Sequence, residues 1–191
     1  PDVTDFRGFG LAPELPPMTY RAAHLIAHEE FSLANFSLSA LGLGENHDIG
    51  LIYLDRVVAE VEPSILMRPQ ESYQIVSGAE VSIAGYGQST LESGQSLGIK
   101  YYADTVINEV GEAEMQVGRE APLPQKCRGD SGGPTMMHFD DGLYPAYRVV
   151  GITSHAYSRE DCTVGGVDTR VDGHWHWLDT TMVEGCSRGL R

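Results

Sequence analysis

Short runs rich in Val, Ile and Tyr alternate along this chain with clusters of Gly, Ser, Asn and Asp, and a helical apolar period is almost nowhere sustained. The runs are 48–54 (DIGLIYL), 72–76 (SYQIV), 79–84 (AEVSIA), 100–107 (KYYADTVI), 146–153 (AYRVVGIT) and 166–171 (GVDTRV). Turn-forming stretches such as 85–98 (GYGQSTLESGQSLG) and 139–142 (FDDG) set them apart. Strands at this spacing, without amphipathic helices between them, predict an all-β barrel or sandwich. Two segments depart from the pattern. Residues 172–183 (DGHWHWLDTTMV) place Trp175, Leu178 and Met182 at helical spacing, which predicts a terminal amphipathic helix capped by Asp172. Residues 20–30 (YRAAHLIAHEE) read as a helix by composition or as a strand running into a polar loop. The first 19 residues carry four of the ten prolines and read as loop.

A length of 191 residues suits one domain, or two small halves sharing a core. The 27 acidic and 13 basic side chains give a net charge of −14, which argues against nucleic acid and anionic membranes as partners, since both are held by clustered Lys and Arg. No apolar stretch reaches the roughly 18 residues of a membrane span. Pro1-Asp2-Val3-Thr4-Asp5 has neither a basic nor an apolar leader region, so any signal peptide is expected to have been removed. Cys127, Cys162 and Cys186 allow one disulfide and leave one thiol, which in a secreted protein points to a partner chain or a free thiol.

The chemistry concentrates in Cys127-Arg128-Gly129-Asp130-Ser131-Gly132-Gly133-Pro134. Glycines around a serine let the backbone turn sharply, so that amide N–H groups and a hydroxyl converge on one point. The same letters contain Gly-x-Ser-x-Gly, the nucleophile elbow of α/β-hydrolases, which needs a strand before the serine and a helix after it. Pro122 and Pro124 on one side and Gly132-Gly133-Pro134 on the other fit neither flank.

This stretch resembles the signature of the trypsin/chymotrypsin-like serine proteases. Residues 47–54 (HDIGLIYL) resemble the segment around that family's catalytic aspartate, and Asp48 precedes Ser131 by 83 residues, close to the family separation of about 90. Gly85-Tyr86-Gly87 resembles the Gly-Trp-Gly that opens the second barrel, 149–156 and 166–171 resemble the strands lining the specificity pocket, and Trp177-Leu178 falls where the terminal helix carries Trp-Ile. The likeness runs over about residues 20–183. It implies a double six-stranded Greek-key barrel with a C-terminal helix. Residues 1–76 would form a partial first barrel, 77–171 the second, and 172–191 the helix and tail.

By that resemblance Ser131 is the nucleophile, Asp48 the carboxylate that orients the general-base histidine, and the N–H groups of Gly129 and Ser131 the oxyanion hole. Cys127 and Cys162 match a family disulfide, which implies an oxidising, secreted or extracellular setting, or a periplasm. Val81 and Met137 occupy places where another family disulfide often sits, a sparseness nearer to bacterial members. Asp130 matches the carboxylate that receives the ammonium of a newly cut N-terminus, as in zymogen activation. Arg128-Gly129-Asp130 also spells an adhesion tripeptide, but its glycine and aspartate are already required by the protease motif.

The family's histidine lies about 45 residues before the aspartate, which here falls near Val3, in a stretch without histidine. His24, in Ala22-Ala23-His24, is 24 residues from Asp48, too close for the intervening strands. His28-Glu29-Glu30-Phe31 better matches a solvent-side turn of the family. The resemblance therefore implies a first barrel whose opening strands and histidine belong to a separate N-terminal polypeptide of the same protease, with Cys186 as a candidate bridge to it. The resulting reading is a serine endopeptidase acting on proteins or peptides. The alternative is a protease-fold binding module without catalysis.

The substrate pocket implied by the resemblance comprises Gln125, Lys126, Ser154, Ala156, Gly166 and Asp168. Either Asp168 offers its charge to a basic substrate side chain, or Lys126 and Asp168 pair and leave a polar pocket. No cofactor or metal is expected. His24 and His28 have metal-ligand spacing only on a helix and lack a third ligand. His174-Trp175-His176-Trp177 reads as alternating helix faces, and the acidic stretches 109–114 (EVGEAE) and 139–141 (FDD) read as solvated loops rather than calcium sites.

Overall fold

Period-two burial organises the structure, a computed structural model that describes residues 20–34, 36, 41–89, 98–119, 123–140, 142, 146–158 and 162–190. β1 (Ala22–Ala27) and β2 (Gly50–Leu54) pair antiparallel as a separate two-stranded sheet. β3 (Ile65–Leu66) lies parallel to the start of β8. β4 (Glu80–Gly85), β5 (Tyr101–Val110), β6 (Glu114–Val117), β7 (Pro134–His138), β8 (Tyr147–Ala156) and β9 (Gly166–Arg170) form a closed antiparallel barrel. Its pairings run β4–β5–β6–β9–β8–β7 and return from β7 to β4. Closure leaves no free edge among these six strands. Helix α1 (Trp175–Ser187) follows β9.

Alternate residues of β8 serve two cores. Val150 points into the barrel with Ile83, Ile107, Met115 and Val117, while Val149 points outward to meet Ile49, Val171 and Leu178. The second cluster joins the β1–β2 hairpin, the barrel and α1. Val81 and Met137 are both buried in the first.

Several expectations are corrected. Residues 72–76 are not a strand: a 3₁₀ helix spans Pro69–Gln74. Pro69 fixes φ at its first turn, and the Glu71 carboxylate accepts the Arg68 N–H at 2.8 Å while its other oxygen lies 3.5 Å from Nε of buried Arg148. The stretch 109–114 is not a solvated acidic loop either. β5 continues to Val110, and Glu114 opens β6 fully buried, accepting the Gly44 N–H at 2.7 Å and the Asn46 side-chain N–H at 3.0 Å. Residues 20–30 adopt the strand option, β1 ending in a turn at Glu29 and Glu30. Asp172 does not cap α1, whose N-cap is His174. Its buried carboxylate instead meets the Arg170 guanidinium through two contacts of 3.1 and 2.5 Å. Burial opposes the charge on Asp172, but the Arg170 fork, a Ser72 hydrogen bond and the Gly173 N–H together outweigh it and hold the pKa below the usual carboxylate range. Residues 1–19, 139–141 in part, and most of the 85–98 turn lie outside the described residues.

The hairpin docks on α1 through Tyr53, which is buried and donates its hydroxyl to the Thr181 carbonyl at 2.6 Å. Gly185 makes room for that ring, because a Cβ there would overlap the phenol. Gly185→Ala should destabilise the protein by about 1–3 kcal/mol through overpacking, and Tyr53→Phe by about 1 kcal/mol through loss of one hydrogen bond. Urea unfolding of the two variants checks the ranking.

Candidate active site

The serine loop hangs from β8 at both ends of its turn. Gly132 donates its N–H to the Thr153 carbonyl at 2.8 Å, and the Thr153 N–H returns to the Gly133 carbonyl at 2.9 Å. Gly129 and Gly132 have φ of 96° and 78°, left-handed values that a side chain would strain. Between them Ser131 is exposed. Among the described residues, neither the Gly129 nor the Ser131 N–H is taken by another backbone carbonyl. A disulfide joins Cys127 to Cys162 and ties this loop to the segment before β9. Cys186 is a free, exposed thiol.

Asp130 points inward. Its two oxygens accept the N–H groups of Gly87 and Cys127, each at 2.8 Å. The carboxylate lies so close to the 85–87 backbone that a Cβ on Gly87 would sit 2.6 Å from its carboxyl carbon, which gives a physical reason for glycine in Gly85-Tyr86-Gly87. Asp130 also borders a cavity of about 270 Å³ lined by Ile83, Ala84, Gln125 and Lys126.

Asp48 reaches β8 and β9 from the other half of the chain. Its Oδ2 accepts the Ser154 hydroxyl at 2.7 Å, and its carbonyl accepts the Thr169 hydroxyl at 2.9 Å. The buried Glu114 carboxylate, by holding Gly44 and Asn46, fixes the segment that delivers Asp48. Sequence reasoning missed this role because Glu114 stands among other acids that read as a solvated loop.

A cleft of about 280 Å³ brings together Lys126, Ser131, Ser154, His155, Ala156 and Gly166. Two residues assigned to the pocket lie elsewhere. The Gln125 amide turns to the Leu123 carbonyl at 2.9 Å. Asp168 is fully buried, with both oxygens 2.6–2.7 Å from Lys126 Nζ, which also meets the Thr135 and Thr153 hydroxyls at 2.6 and 2.7 Å. Of the two alternatives, the Lys126–Asp168 pair is the one formed. Burial pushes the Lys126 amine below its ordinary pKa, and the adjacent Asp168 opposes that fall.

The seven histidines all fall within the described residues. His24 is exposed on β1, beside Tyr53. His28, His47 and His174 cluster behind Asp48. His138 packs against Tyr147, and His176 is exposed on α1. Only His155 lines the cleft with Ser131, and its ring nitrogens face Ser154 Oγ at 3.0 Å and the Gly42 carbonyl at 3.2 Å.

A closed six-stranded antiparallel barrel presenting a serine on a glycine loop, followed by a C-terminal helix, is the arrangement of the second half of a trypsin-type fold. Residues 19–178 match the Trypsin family, and the chain belongs to it as a serine protease domain. A distant relative is Melanization protease 1 of Drosophila melanogaster, 26% identical over 122 residues. That match takes in 56% of this chain and 30% of the relative's length.

The Lys126–Asp168 pair yields a stability prediction. Lys126→Ala or Asp168→Asn leaves a buried charge uncompensated and should cost about 3–5 kcal/mol, whereas Lys126→Met with Asp168→Leu should recover much of the loss. A double-mutant cycle by chemical denaturation measures the coupling.

Proposed function

We propose that this protein is a secreted serine endopeptidase in which Ser131 attacks the peptide carbonyl and forms an acyl-enzyme. The observation that carries the reading is the Asp48–Ser154 hydrogen bond beside the exposed Ser131, because it sets a half-buried carboxylate against Ser154, a wall residue of the cleft that also holds Ser131. The Gly129 and Ser131 N–H groups receive the developing oxyanion. Asp48 holds the imidazole in the correct tautomer and stabilises its cation.

The general base comes from a histidine of a separate N-terminal polypeptide of the same protease. In support, His155 already uses both ring nitrogens, and the other six histidines lie outside the cleft. Residues 1–76 then contribute part of a first barrel, represented by β1 and β2, while 77–171 form the second barrel and 172–191 the helix and tail. Asp130 captures an incoming N-terminal ammonium in the cavity it borders, keeping its two amide bonds.

A fluorophosphonate probe on the natively assembled protein should label Ser131 and lose the label in Ser131→Ala. Asp48→Asn should lower kcat by about 10⁴-fold. Absence of labelling in the intact assembly would favour a protease-fold binding module instead.

With Asp168 neutralised by Lys126, the cleft walls of Ser154, Ala156 and Gly166 suit a polar side chain before the scissile bond. A positional-scanning peptide library should show that preference. Selection of Phe or Leu there would refute it.

A further inference from the structure

Behind Asp48, three imidazoles from distant parts of the chain converge. His28 follows β1, His47 precedes Asp48, and His174 caps α1, and each offers a ring nitrogen within 4.8 Å of the other two. His28 and His47 stack with centroids 4.9 Å apart, and both meet the His174 ring edge-on at 5.5 and 5.3 Å. His28 and His174 are buried. We propose that His28, His47 and His174 form a binding site for Zn²⁺ that clips the β1–β2 hairpin to α1.

The hydrogen bonds around the cluster carry this assignment. His174 Nδ1 lies 2.7 Å from the Arg170 carbonyl, which has no proton to give, so Nδ1 carries the hydrogen and Nε2 presents its lone pair. That Nε2 lies 3.0 Å from His47 Nδ1. Without a metal, the contact is satisfied by a proton on His47 Nδ1. In a neutral ring, that choice turns the His47 Nε2 lone pair toward the Glu30 carboxylate 3.4 Å away, setting two acceptors against each other. A zinc ion between His47 Nδ1 and His174 Nε2 removes the conflict. His47 Nε2 then carries the hydrogen and donates to Glu30, the carboxylate–histidine–metal relay that orients zinc ligands, while His174 already has its carbonyl partner.

The spacing also fits. Two nitrogens on a tetrahedral zinc with bonds of 2.0–2.1 Å stand about 3.3 Å apart, so the 3.0 Å pair needs only a small opening. His28 supplies the third ligand. Among the described residues, its ring nitrogens meet one hydrogen bond, a long 3.3 Å contact from the Glu30 N–H to Nδ1. The fourth position opens on a cleft of about 850 Å³ whose walls include Glu29, Glu45, Glu112 and Glu184, a negative surround that favours a dication. The histidine pair singled out from sequence, His24 with His28, is not this site. It lies along β1, where four residues span about 13 Å, too far to share one ion.

Isothermal titration of the natively produced protein with ZnCl₂ tests the site, using Ser131→Ala protein so that proteolysis plays no part. The expected result is one Zn²⁺ per chain, a thermal midpoint raised by zinc and lowered by chelator, and a tetrahedral-type visible spectrum when Co²⁺ replaces zinc. His28→Ala, His47→Asn and His174→Ala should each abolish the zinc-induced shift, and Glu30→Gln should weaken affinity by about 10- to 100-fold as an outer-sphere change. If a variant fails to fold, diethylpyrocarbonate mapping of the unmutated protein decides: zinc should protect His47, the ligand with a partly exposed ring, and leave His24, His138 and His176 reactive. No saturable binding at micromolar zinc, binding that survives all three ligand substitutions, or protection of a different histidine set would each overturn the proposal.

Discussion

One buried ammonium organises the serine-loop end of the barrel. Lys126 Nζ contacts Asp168 of β9, Thr135 of β7 and Thr153 of β8 within 2.7 Å. Removing two charges from water carries a penalty of several kcal/mol per ion, recovered only where geometry and neighbouring hydrogen bonds are good. Here both carboxylate oxygens and two hydroxyls supply them. Because Lys126 directly precedes Cys127, the pair sets where the serine loop leaves the barrel. Thr153 extends the control by donating its hydroxyl to the Gly133 carbonyl at 2.9 Å while its backbone holds the two glycines. Even the residue beneath is constrained: a Cβ on Gly151 would stand 2.6 Å from an Asp168 oxygen.

The loop acids are then held by different physics. Asp130 is fixed by backbone N–H groups, which have no conformational freedom of their own, so its carboxylate position follows the 85–87 turn. Asp48 arrives from the hairpin half and is held by side-chain hydroxyls of Ser154 and Thr169, both on barrel strands. The second barrel therefore dictates both positions. The hairpin contributes Asp48 itself, and the α1 contacts of Tyr53 and Leu178 keep the hairpin in place.

Sequence showed what depends on local pattern and missed what depends on tertiary closure. The alternation in 79–84 was legible as β4 because one face meets a core, and the apolar run in 146–153 as β8 because both of its faces do. β6 was not: all four of its residues are buried, so it shows no alternation, and it begins with a charged Glu114 whose partners lie some 70 residues away. β7 begins with Pro134 and carries two methionines rather than β-branched residues. In 72–76 the β-type composition lost to Pro69 and the Glu71 cap. The serine loop was legible because its glycines and its serine are contiguous. Lys126 and Asp168 were legible as possible partners only once the family likeness placed them in one pocket. No spacing rule could join His28, His47 and His174.

Asp48 and the histidine cluster are two faces of one short segment. Asp48 turns toward Ser154, while its neighbour His47 is directed away from the cleft, toward His174 and Glu30. His47 also takes a left-handed φ of 50°, uncommon for a residue with a side chain, and such a conformation persists only where its surroundings hold it. The His174 contact and the His28 stack supply that hold. Whatever occupies the cluster therefore acts on the φ of the residue before Asp48, and through one peptide bond on the carboxylate at the rim of the cleft. Anchoring the far side of that peptide therefore also holds Asp48 against Ser154.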